Sequence, residues 1–205
     1  MTAGPLDRLA RLDSCAVSDA LDMLGITGVA LGLTAVADRR RIVGRAVTVD
    51  LELDTGSAPA RPGRRHLGTV AVDAAGPGDI IVVAHHGRTQ VAGWGGLLSL
   101  DNAGRMDGTV WGDLLTATAA RRRIGGTVID GVCRDSDRAV ELGYPVYSRG
   151  RWMRTGKDRV RVDGYQVPVA VGGARVAARA NAGYHTLQTR TGQTRTGQTR
   201  TSRPE

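Results

Sequence analysis

One stretch of the sequence combines residue types that can bind a small anion and a metal ion. It begins at Gly112-Asp113-Leu114-Leu115 and ends at Arg134-Asp135. Main-chain amides at a helix start favour an anion, and an arginine can bind a carboxylate through two parallel hydrogen bonds. The carboxylates of Asp113 and Asp135 are hard oxygen ligands suited to Mg²⁺ or Mn²⁺. The stretch therefore indicates a site for a small oxo acid held against a metal, although on spacing alone an Arg-Asp pair after a strand is more often a surface salt bridge.

The elements that must position these residues alternate between helices and strands. The sequence predicts a helix over residues 113–123, a break at Gly125-Gly126 and a strand over 127–130, which returns the chain to the start of the helix. Further strands are predicted over 42–49, 80–83, 144–147 and 167–171. Helical periodicity runs over 6–24, where Ser18-Asp19 is predicted to cap a second short helix, and another short helix is predicted over 140–142. Residues 67–75 fit a helix or a strand, and 76–79 a tight turn. This alternation predicts a layered α/β domain.

Composition agrees with one domain of moderate size. The chain has 205 residues, 3% aromatic residues and no phenylalanine, so the core must consist of Val, Ile, Leu and Ala. The sequence contains no run of about 20 apolar residues, so no membrane-spanning helix is predicted. The two cysteines, Cys15 and Cys133, are too few for a disulfide framework and lack zinc-site spacing. Because the sequence also shows no recognisable leader, we expect a cytoplasmic protein.

The formal net charge of +8 raises the question of nucleic acid. Residues 186–205 hold four arginines and one glutamate, and much of this stretch repeats Gln-Thr-Arg-Thr-Gly. The domain is therefore predicted over residues 1–180, followed by a disordered, low-complexity tail over 181–205. The remaining charge is spread along the domain with few aromatic residues near it. We therefore expect neither a specific nucleic-acid partner nor a membrane partner.

A local duplication leaves two candidates for the glycine-led turn. Residues 87–98 align without gaps to residues 104–115, at an offset of 17. Only the second copy carries the carboxylate, because Gly96 stands where the second copy has Asp113. The anion-binding turn is therefore assigned to Gly112, Asp113, Leu114 and Leu115.

These motifs together resemble the RraA-like family, which includes the 4-hydroxy-4-methyl-2-oxoglutarate aldolases and the regulator of ribonuclease E activity. The resemblance rests first on an aspartate, twenty intervening residues and Arg-Asp, here Asp113 and Arg134-Asp135. Further matching text lies at residues 17–22, 44–49, 76–79 and 142–147. The similarity runs from about residue 14 to about residue 176.

The resemblance implies a single α/β domain, a layered β/β/α sandwich of the swivelling-domain-like type. It implies a divalent-metal-dependent (class II) aldolase that cleaves 4-hydroxy-4-methyl-2-oxoglutarate or a related 4-hydroxy-2-oxo acid to pyruvate, with oxaloacetate decarboxylase activity as a companion. The expected partners are a small 2-oxo-acid substrate and copies of the same chain, in a homotrimer or a dimer of trimers. The alternative, from another branch of the family, is a non-catalytic protein-binding regulator of ribonuclease E-type RNA degradation.

The resemblance also implies a role for each site residue. Arg134 would bind the carboxylate or carbonyl of the pyruvyl unit, and the amides of residues 112–115 its other oxygens. Asp135 would ligate Mg²⁺ (or Mn²⁺) directly, and Asp113 would act as a catalytic residue through metal-bound water. A Schiff base is not expected, because the only lysine, Lys157, lies outside the motif.

Two departures from the family and two other clusters complete the expectations. Arg138 stands where family members commonly have an acid, and the usual C-terminal strand and ending are absent after Val176. His85-His86 should point to opposite sides of a strand, which disfavours joint metal binding. The basic cluster Arg149, Arg151, Arg154 and Lys157 is either a solvated loop or a site for a polyanionic substrate, and Cys133 is expected to be a small buried residue.

Overall fold

A computed structural model of the chain describes residues 4–55, 67–94, 113–154, 156 and 159–184. The described helices are α1 Pro5–Leu9, α2 Ser14–Met23, α3 Leu67–Ala74, α4 Asp113–Arg121 and α5 Ser136–Glu141. The described strands are β1 Thr34–Ala35, β2 Ile42–Leu53, β3 Ile80–Trp94, β4 Gly126–Cys133, β5 Val146–Arg151, β6 Val160–Tyr165, β7 Val169–Val171, β8 Ala174–Val176 and β9 Asn181–Tyr184.

Seven of these strands form one mixed sheet. Its order is β1-β5-β4-β3-β2-β6, and β9 pairs with the first part of β2. Strands β2, β3, β4 and β5 are parallel and joined in sequence through α3, α4 and α5, whereas β1, β6 and β9 are antiparallel to their neighbours. Every residue of β4 is buried, as expected of a strand in the middle of a parallel sheet covered on both faces.

The sheet lies between a helical layer and a small β-hairpin. Because side chains alternate along a strand, Val47, Val49 and Leu51 of β2 share one face, which packs against Ala71, Leu115 and Ala139 of α3, α4 and α5. The opposite face, with residues such as Ala46, Ile80, Val82, Val128 and Tyr147, packs against Val169 and Val171 of the β7–β8 hairpin. The fold is therefore the layered β/β/α domain that the resemblance implied.

One buried carboxylate fastens the hairpin to the sheet. Asp130 of β4 accepts a hydrogen bond from Nε of Arg149 at 2.6 Å and from the main-chain N–H of Gly172, in the hairpin turn, at 3.0 Å. The Gly172 carbonyl in turn accepts a hydrogen bond from the Leu31 N–H at 2.8 Å. A side chain at Gly172 would lie 2.6 Å from the Leu31 carbonyl oxygen, and φ there is +56°, so this close approach requires glycine.

The predicted turn over residues 76–79 is present and supports the start of three strands. The Asp79 side chain accepts a hydrogen bond from the Gly76 N–H at 2.8 Å, and the Asp79 carbonyl accepts one from Gly125 at 2.7 Å. The Gly78 carbonyl lies against Gly44 of β2, where an added Cβ would overlap it. The turn therefore fits between β2 and the approach to β4 with no room for a side chain at Gly44.

Several boundaries differ from the sequence expectations. The cap predicted at Ser18-Asp19 is wrong, because α2 begins at Ser14 and the Asp13 side chain accepts a hydrogen bond from the Ala16 N–H at 2.8 Å. Residues 67–74 form a helix, and the strand predicted over 80–83 continues to Trp94. Strands β6 and β9 were not predicted at all.

The ordered chain also continues past the domain end predicted at residue 180. Residues 181–184, which were assigned to the tail, form β9 against Ile42–Arg45 of β2. Residues 185–205 lie outside the described part, so disorder there stays a prediction. Within the described part, no helix has the length and apolar character needed to cross a membrane.

Candidate active site

Two elements that carry candidate residues, α4 and β4, come together at the edge of the sheet where the parallel strands end. Helix α4 connects β3 to β4, which are parallel, so it runs back along the sheet and its first turn lies at the carboxyl edge. Arg134 directly follows β4 at that same edge. The helix begins at Asp113, in the second copy of the duplicated block, as predicted. Gly112 and the side chains of Asp113 and Leu114 lie outside the described residues.

Leu115 has a structural role in addition to its main-chain amide. Its side chain is 1% exposed and packs in the core between the sheet and the helices. This anchors the first turn of α4, whose leading N–H groups have no carbonyl partner within the helix. The first turn of α4 is therefore held in place and presents main-chain donors at the carboxyl edge.

Arg134 and Asp135 form an ion pair in which, among the described residues, only the Nε of the guanidinium has a partner. Arg134 Nε donates to Asp135 Oδ2 at 2.9 Å, with 25% of the arginine side chain and 39% of the aspartate side chain exposed. Among the described residues, the Arg134 guanidinium makes no other hydrogen bond or ion pair. Within the described part of the chain, the two Nη groups, which form the fork that recognises a carboxylate, therefore have no partner.

Asp135 has a strained backbone and does not use its side chain to cap α5. Its φ of 53° and ψ of 37° place it in the left-handed region, which aspartate and asparagine tolerate better than most residues. It occupies the N-cap of α5, yet its carboxylate accepts no capping hydrogen bond. An aspartate at an N-cap usually accepts one from the helix. Instead, the carboxylate faces Arg134, in a conformation of the kind that concentrates at functional sites.

A second polar cluster, near the end of β2 and midway along β3, was missed by sequence reasoning. His86 Nε2 lies 2.8 Å from Asp50 Oδ1 and 3.3 Å from Glu52 Oε1, and Arg88 Nη2 lies 2.8 Å from Glu52 Oε2. Burial disfavours the charged form of Glu52, but the Arg88 guanidinium outweighs it and holds the pKa of that carboxyl below its ordinary value. The alternation of Asp50 and Glu52 along a strand was the available signal.

The two adjacent histidines lie in different environments, as predicted. His85 is fully buried, and its Nε2 donates to the Val91 carbonyl at 2.9 Å. Burial is the main cause of a lowered pKa for His85, and the hydrogen bond to Val91 only partly opposes it. His86 is 39% exposed, with φ of 53°, where β3 bulges between Val83 and Arg88. The bulge is what turns His86 towards the acids of β2.

Comparison with known proteins decides the family. A family model described as RraA-like, Aldolase/RraA, matches residues 14–180. The chain belongs to the RraA-like family. Protein DlpA of Legionella pneumophila is 34% identical over 171 residues, which cover 83% of this chain and 24% of DlpA. The RraA-like chain thus spans about a quarter of the length of that curated relative.

Solved structures agree with this placement of the RraA-like chain. An uncharacterised protein from Pseudomonas syringae has a TM-score of 0.66 and 31% identity, covering 87% of this chain and 73% of its own. Streptomyces coelicolor RraAS2, described as an unusual member of the RNase ES inhibitor RraA family, has a TM-score of 0.66 and 25% identity, covering 89% and 81%. An RNA-processing inhibitor RraA from Thermus, 17% identical with a TM-score of 0.56, supports the fold.

The residues of the RraA-like chain suit a divalent metal in donor chemistry. No group of three or more His, Cys, Asp or Glu side chains in the described residues is arranged to hold a metal. Mg²⁺, however, is usually held by one or two carboxylates, with waters and substrate oxygens completing its shell. Asp135 offers one such carboxylate, because among the described residues Arg134 is its sole side-chain partner. The Asp113 carboxylate is not among the described atoms, so its part stays a prediction.

Two other residues of the RraA-like chain have structural roles. Cys133 is 1% exposed, and burial raises the pKa of its thiol, which confirms it as a small buried residue and argues against a nucleophile. Arg138, at the position where relatives commonly have an acid, pairs with Glu141 at 2.8 Å on the exposed side of α5. The departure at Arg138 therefore adds a surface ion pair.

Proposed function

We propose that this RraA-like chain is a divalent-metal-dependent (class II) aldolase. Its substrate is 4-hydroxy-4-methyl-2-oxoglutarate or a related 4-hydroxy-2-oxo acid, cleaved to pyruvate and a second carbonyl compound, and it also decarboxylates oxaloacetate. The observation that carries the proposal is the Arg134–Asp135 pair, in which the left-handed aspartate does not cap α5 and both Nη groups of the arginine have no partner among the described residues.

Arg134 would bind and orient the pyruvyl end of the substrate. Its Nη groups match the geometry of a carboxylate, and its Nε contact with Asp135 fixes the plane of the guanidinium. The main-chain amides of residues 112–115 at the start of α4 would hold the remaining oxygens. A substrate held from two sides in this way has its reacting bond in a defined position, which lowers the entropic part of the barrier.

Both reactions form the same intermediate, the enolate of pyruvate. In aldol cleavage the 4-hydroxyl loses its proton, the C3–C4 bond breaks, and its electron pair moves towards the C2 oxygen to leave the enolate of pyruvate. In decarboxylation of oxaloacetate the C3–C4 bond breaks and CO₂ leaves, with the same electron movement. In each case C3 then takes up a proton. The fixed positive charge of Arg134 stabilises the negative charge that develops on oxygen.

The metal would be held at the acidic side of the pair. Asp135 would bind Mg²⁺ or Mn²⁺ directly, and Asp113 would act through a water. The chemistry supplied by the ion, when bound, is Lewis-acid polarisation of the 2-oxo group. Asp135 is therefore a metal ligand in this proposal, and Arg134 and Asp113 are the catalytic residues.

The test is pyruvate release that depends on a divalent metal. Purified protein should release pyruvate from 4-hydroxy-4-methyl-2-oxoglutarate and from oxaloacetate with Mg²⁺ or Mn²⁺, and not with a chelator. Arg134→Gln should lower kcat/KM by about 100- to 1000-fold, as expected when a charged donor to a developing oxyanion is removed. Arg175→Gln, at an exposed arginine of β8, is the matched control and should keep full activity. Folded protein that is inactive with several divalent metals would contradict the proposal.

The alternative is a non-catalytic regulator that binds a ribonuclease E-type enzyme. It is favoured by the 25% identity to RraAS2, which is described as a member of an RNase inhibitor family. A pull-down with purified ribonuclease E distinguishes the two: binding without pyruvate release supports the regulator.

We also propose that the chain assembles as a homotrimer or a dimer of trimers. In support, large apolar side chains are exposed along the N-terminal part and after β5, as they are in Met23, Leu24, Leu31, Trp152 and Met153. Light scattering during size-exclusion chromatography measures the assembled mass, and a monomer at micromolar concentration would contradict this proposal.

A further inference from the structure

The two adjacent histidines lie on a bulge that interrupts the pairing of β3 with β4. Before the bulge, residues 80–83 of β3 pair with β4 in regular register, and after it Ala92 and Trp94 pair with the last two residues of β4. Arg134 directly follows β4. The bulge therefore separates the main part of the sheet from the strand end that carries this candidate site residue.

The side chain of His85 closes the bulge from inside the protein. Its Nε2 donates to the carbonyl of Val91, six positions along the chain, at 2.9 Å. Because a carbonyl can only accept, Nε2 carries the proton and the neutral ring has its lone pair on Nδ1. Nδ1 is buried and has no hydrogen-bond partner among the described residues. Protonation would keep the bond to Val91 but would add a buried charge and an N–H without an acceptor, and both are costly.

The ring has no room to turn towards another acceptor. A Cβ built at Gly93 would lie 2.9 Å from Cγ of His85, and one built at Gly131 would lie 2.6 Å from its Cδ2. The main chain of both glycines therefore packs directly against the imidazole, one from β3 and one from β4. A charged ring can gain a partner for Nδ1 only if this part of β3 moves away and admits water.

The charged groups around the ring do not rescue its protonated form. They are Arg88 and His86 on the same strand and Asp130 on β4. Asp130 would favour a positive charge, but its two oxygens already accept hydrogen bonds from Arg149 of β5 and from the Gly172 N–H. Burial is the largest effect, and together with the two positive neighbours it outweighs Asp130 and the bond to the Val91 carbonyl. These effects hold the pKa of the buried histidine below its ordinary value.

The closed bulge carries two side chains that connect β3 to β2. His86 contacts Asp50, and Arg88 donates to the Leu51 carbonyl at 2.9 Å and to Glu52 at 2.8 Å. A protonated His86 strengthens its contact with Asp50 and so favours the closed bulge. This pair is partly exposed, and such pairs contribute less than a buried charge without a partner costs. The buried histidine therefore decides the response of the bulge to acid.

We propose that His85 is a pH-sensitive latch on the β3 bulge. The neutral imidazole fits between the two glycines and keeps the bulge closed, whereas the charged imidazole is stable only when the bulge is open. Opening releases His86 and Arg88 from β2 and separates the end of β4, and with it Arg134, from the support of β3. The latch acts on the strand itself, so it does not depend on the proposed aldolase activity.

Hydrogen exchange of the main-chain amides over residues 86–92 tests the latch. Mass spectrometry measures their protection at pH 7.5 and 5.5, after correction for the intrinsic exchange rate at each pH. A histidine that takes up a proton only in the open form, with a pKa of about 6.5 there, makes opening up to about 10-fold more favourable at the lower pH. Because His86 partly opposes this effect, protection in the unaltered protein should fall by about 3- to 10-fold.

Two substitutions on the same bulge give a matched comparison. In His85→Gln the fall should be less than about twofold, because the glutamine amide can donate to the Val91 carbonyl but does not titrate. In His86→Gln the fall should be at least as large as in the unaltered protein, because the opposing contact with Asp50 is lost. Equal falls in the unaltered protein and in His85→Gln, or no fall in the unaltered protein, would overturn the proposal.

Two measurements on the unaltered protein need no substitution. Low concentrations of urea should hardly change the exchange of residues 86–92, because a local opening exposes little surface, and a steep dependence on urea would assign the exchange to global unfolding and refute the latch. Imidazole nitrogen NMR shifts at pH 5.5 should show a neutral His85 with its proton on Nε2. An imidazolium signal from His85 with unchanged protection would also refute the latch.

Discussion

Substitution of Asp135 separates the conformation of this residue from its charge. Asp135→Asn keeps a residue that tolerates the left-handed backbone but removes the negative charge. Its ion pair with Arg134 is partly exposed, and pairs of this kind contribute at most about 1 kcal/mol, so the free energy of unfolding should fall by less than about 1 kcal/mol. Pyruvate release should nevertheless fall by at least about 100-fold, because a metal ligand is lost.

Two further substitutions at the same position complete the series. Asp135→Ala forces an ordinary side chain into the left-handed region, at a cost of about 1–2 kcal/mol, whereas Asp135→Gly avoids this cost. We expect glycine to be more stable than alanine by about 1 kcal/mol, although both variants are inactive. Urea denaturation gives the unfolding free energies, and a Mg²⁺ titration of pyruvate release gives the activities. Full activity of Asp135→Asn would refute the assigned role. A loss of stability above about 2 kcal/mol in Asp135→Asn would instead show that the carboxylate is structural.

Two other predictions concern stability. Gly44→Ala should lower the free energy of unfolding by about 3 kcal/mol or more in urea denaturation, because the added Cβ would overlap the Gly78 carbonyl. The control is Gly76→Ala, whose Cβ would meet only Asp79 Oδ2 at 3.5 Å and should change that free energy by less than about 1 kcal/mol. Similar losses in the two variants would show that the turn can move away from Gly44. The lowered pKa of His85 means that its contribution is intact above the unfolded-state pKa of about 6.5 and is lost as pH falls below it, with a slope of up to ~1.4 kcal/mol per pH unit. Urea midpoints between pH 7.5 and 5.5 should therefore fall less steeply in His85→Gln than in the unaltered protein, and equal slopes would refute the assignment.

The parts of the fold that the sequence predicts well are those built from local signals. A Leu- and Ala-rich helix, a glycine pair and a β-branched run define α4 and β4, and these two elements place Arg134 at the edge of the sheet. The turn over residues 76–79 follows from its Gly-Pro-Gly-Asp composition. The site residues could therefore be placed on elements before their geometry was known.

The remaining features depend on contacts between distant parts of the chain. Strand β6 pairs with β2, more than 100 residues earlier, and its place in the sheet follows from that pairing, although Val160-Arg161-Val162-Asp163 also alternates apolar and charged residues as a half-buried strand does. Strand β3 continues past Val83 only through a bulge that requires the left-handed His86 and Gly87. The left-handed Asp135 and the path of the segment after β5 are set by tertiary packing, which a local pattern does not contain.

The pairing of β9 with β2 bears on where this domain can be shortened. Ile42–Arg45 hydrogen-bonds to Asn181–Tyr184, although both the sequence boundary and the family match end at residue 180. A protein cut at residue 180 would keep its core and site residues but expose the main-chain groups of the first four residues of β2. An uncovered strand edge is a template for pairing with another polypeptide. Four residues beyond the recognisable domain thus cover the main-chain hydrogen-bonding groups at the start of β2.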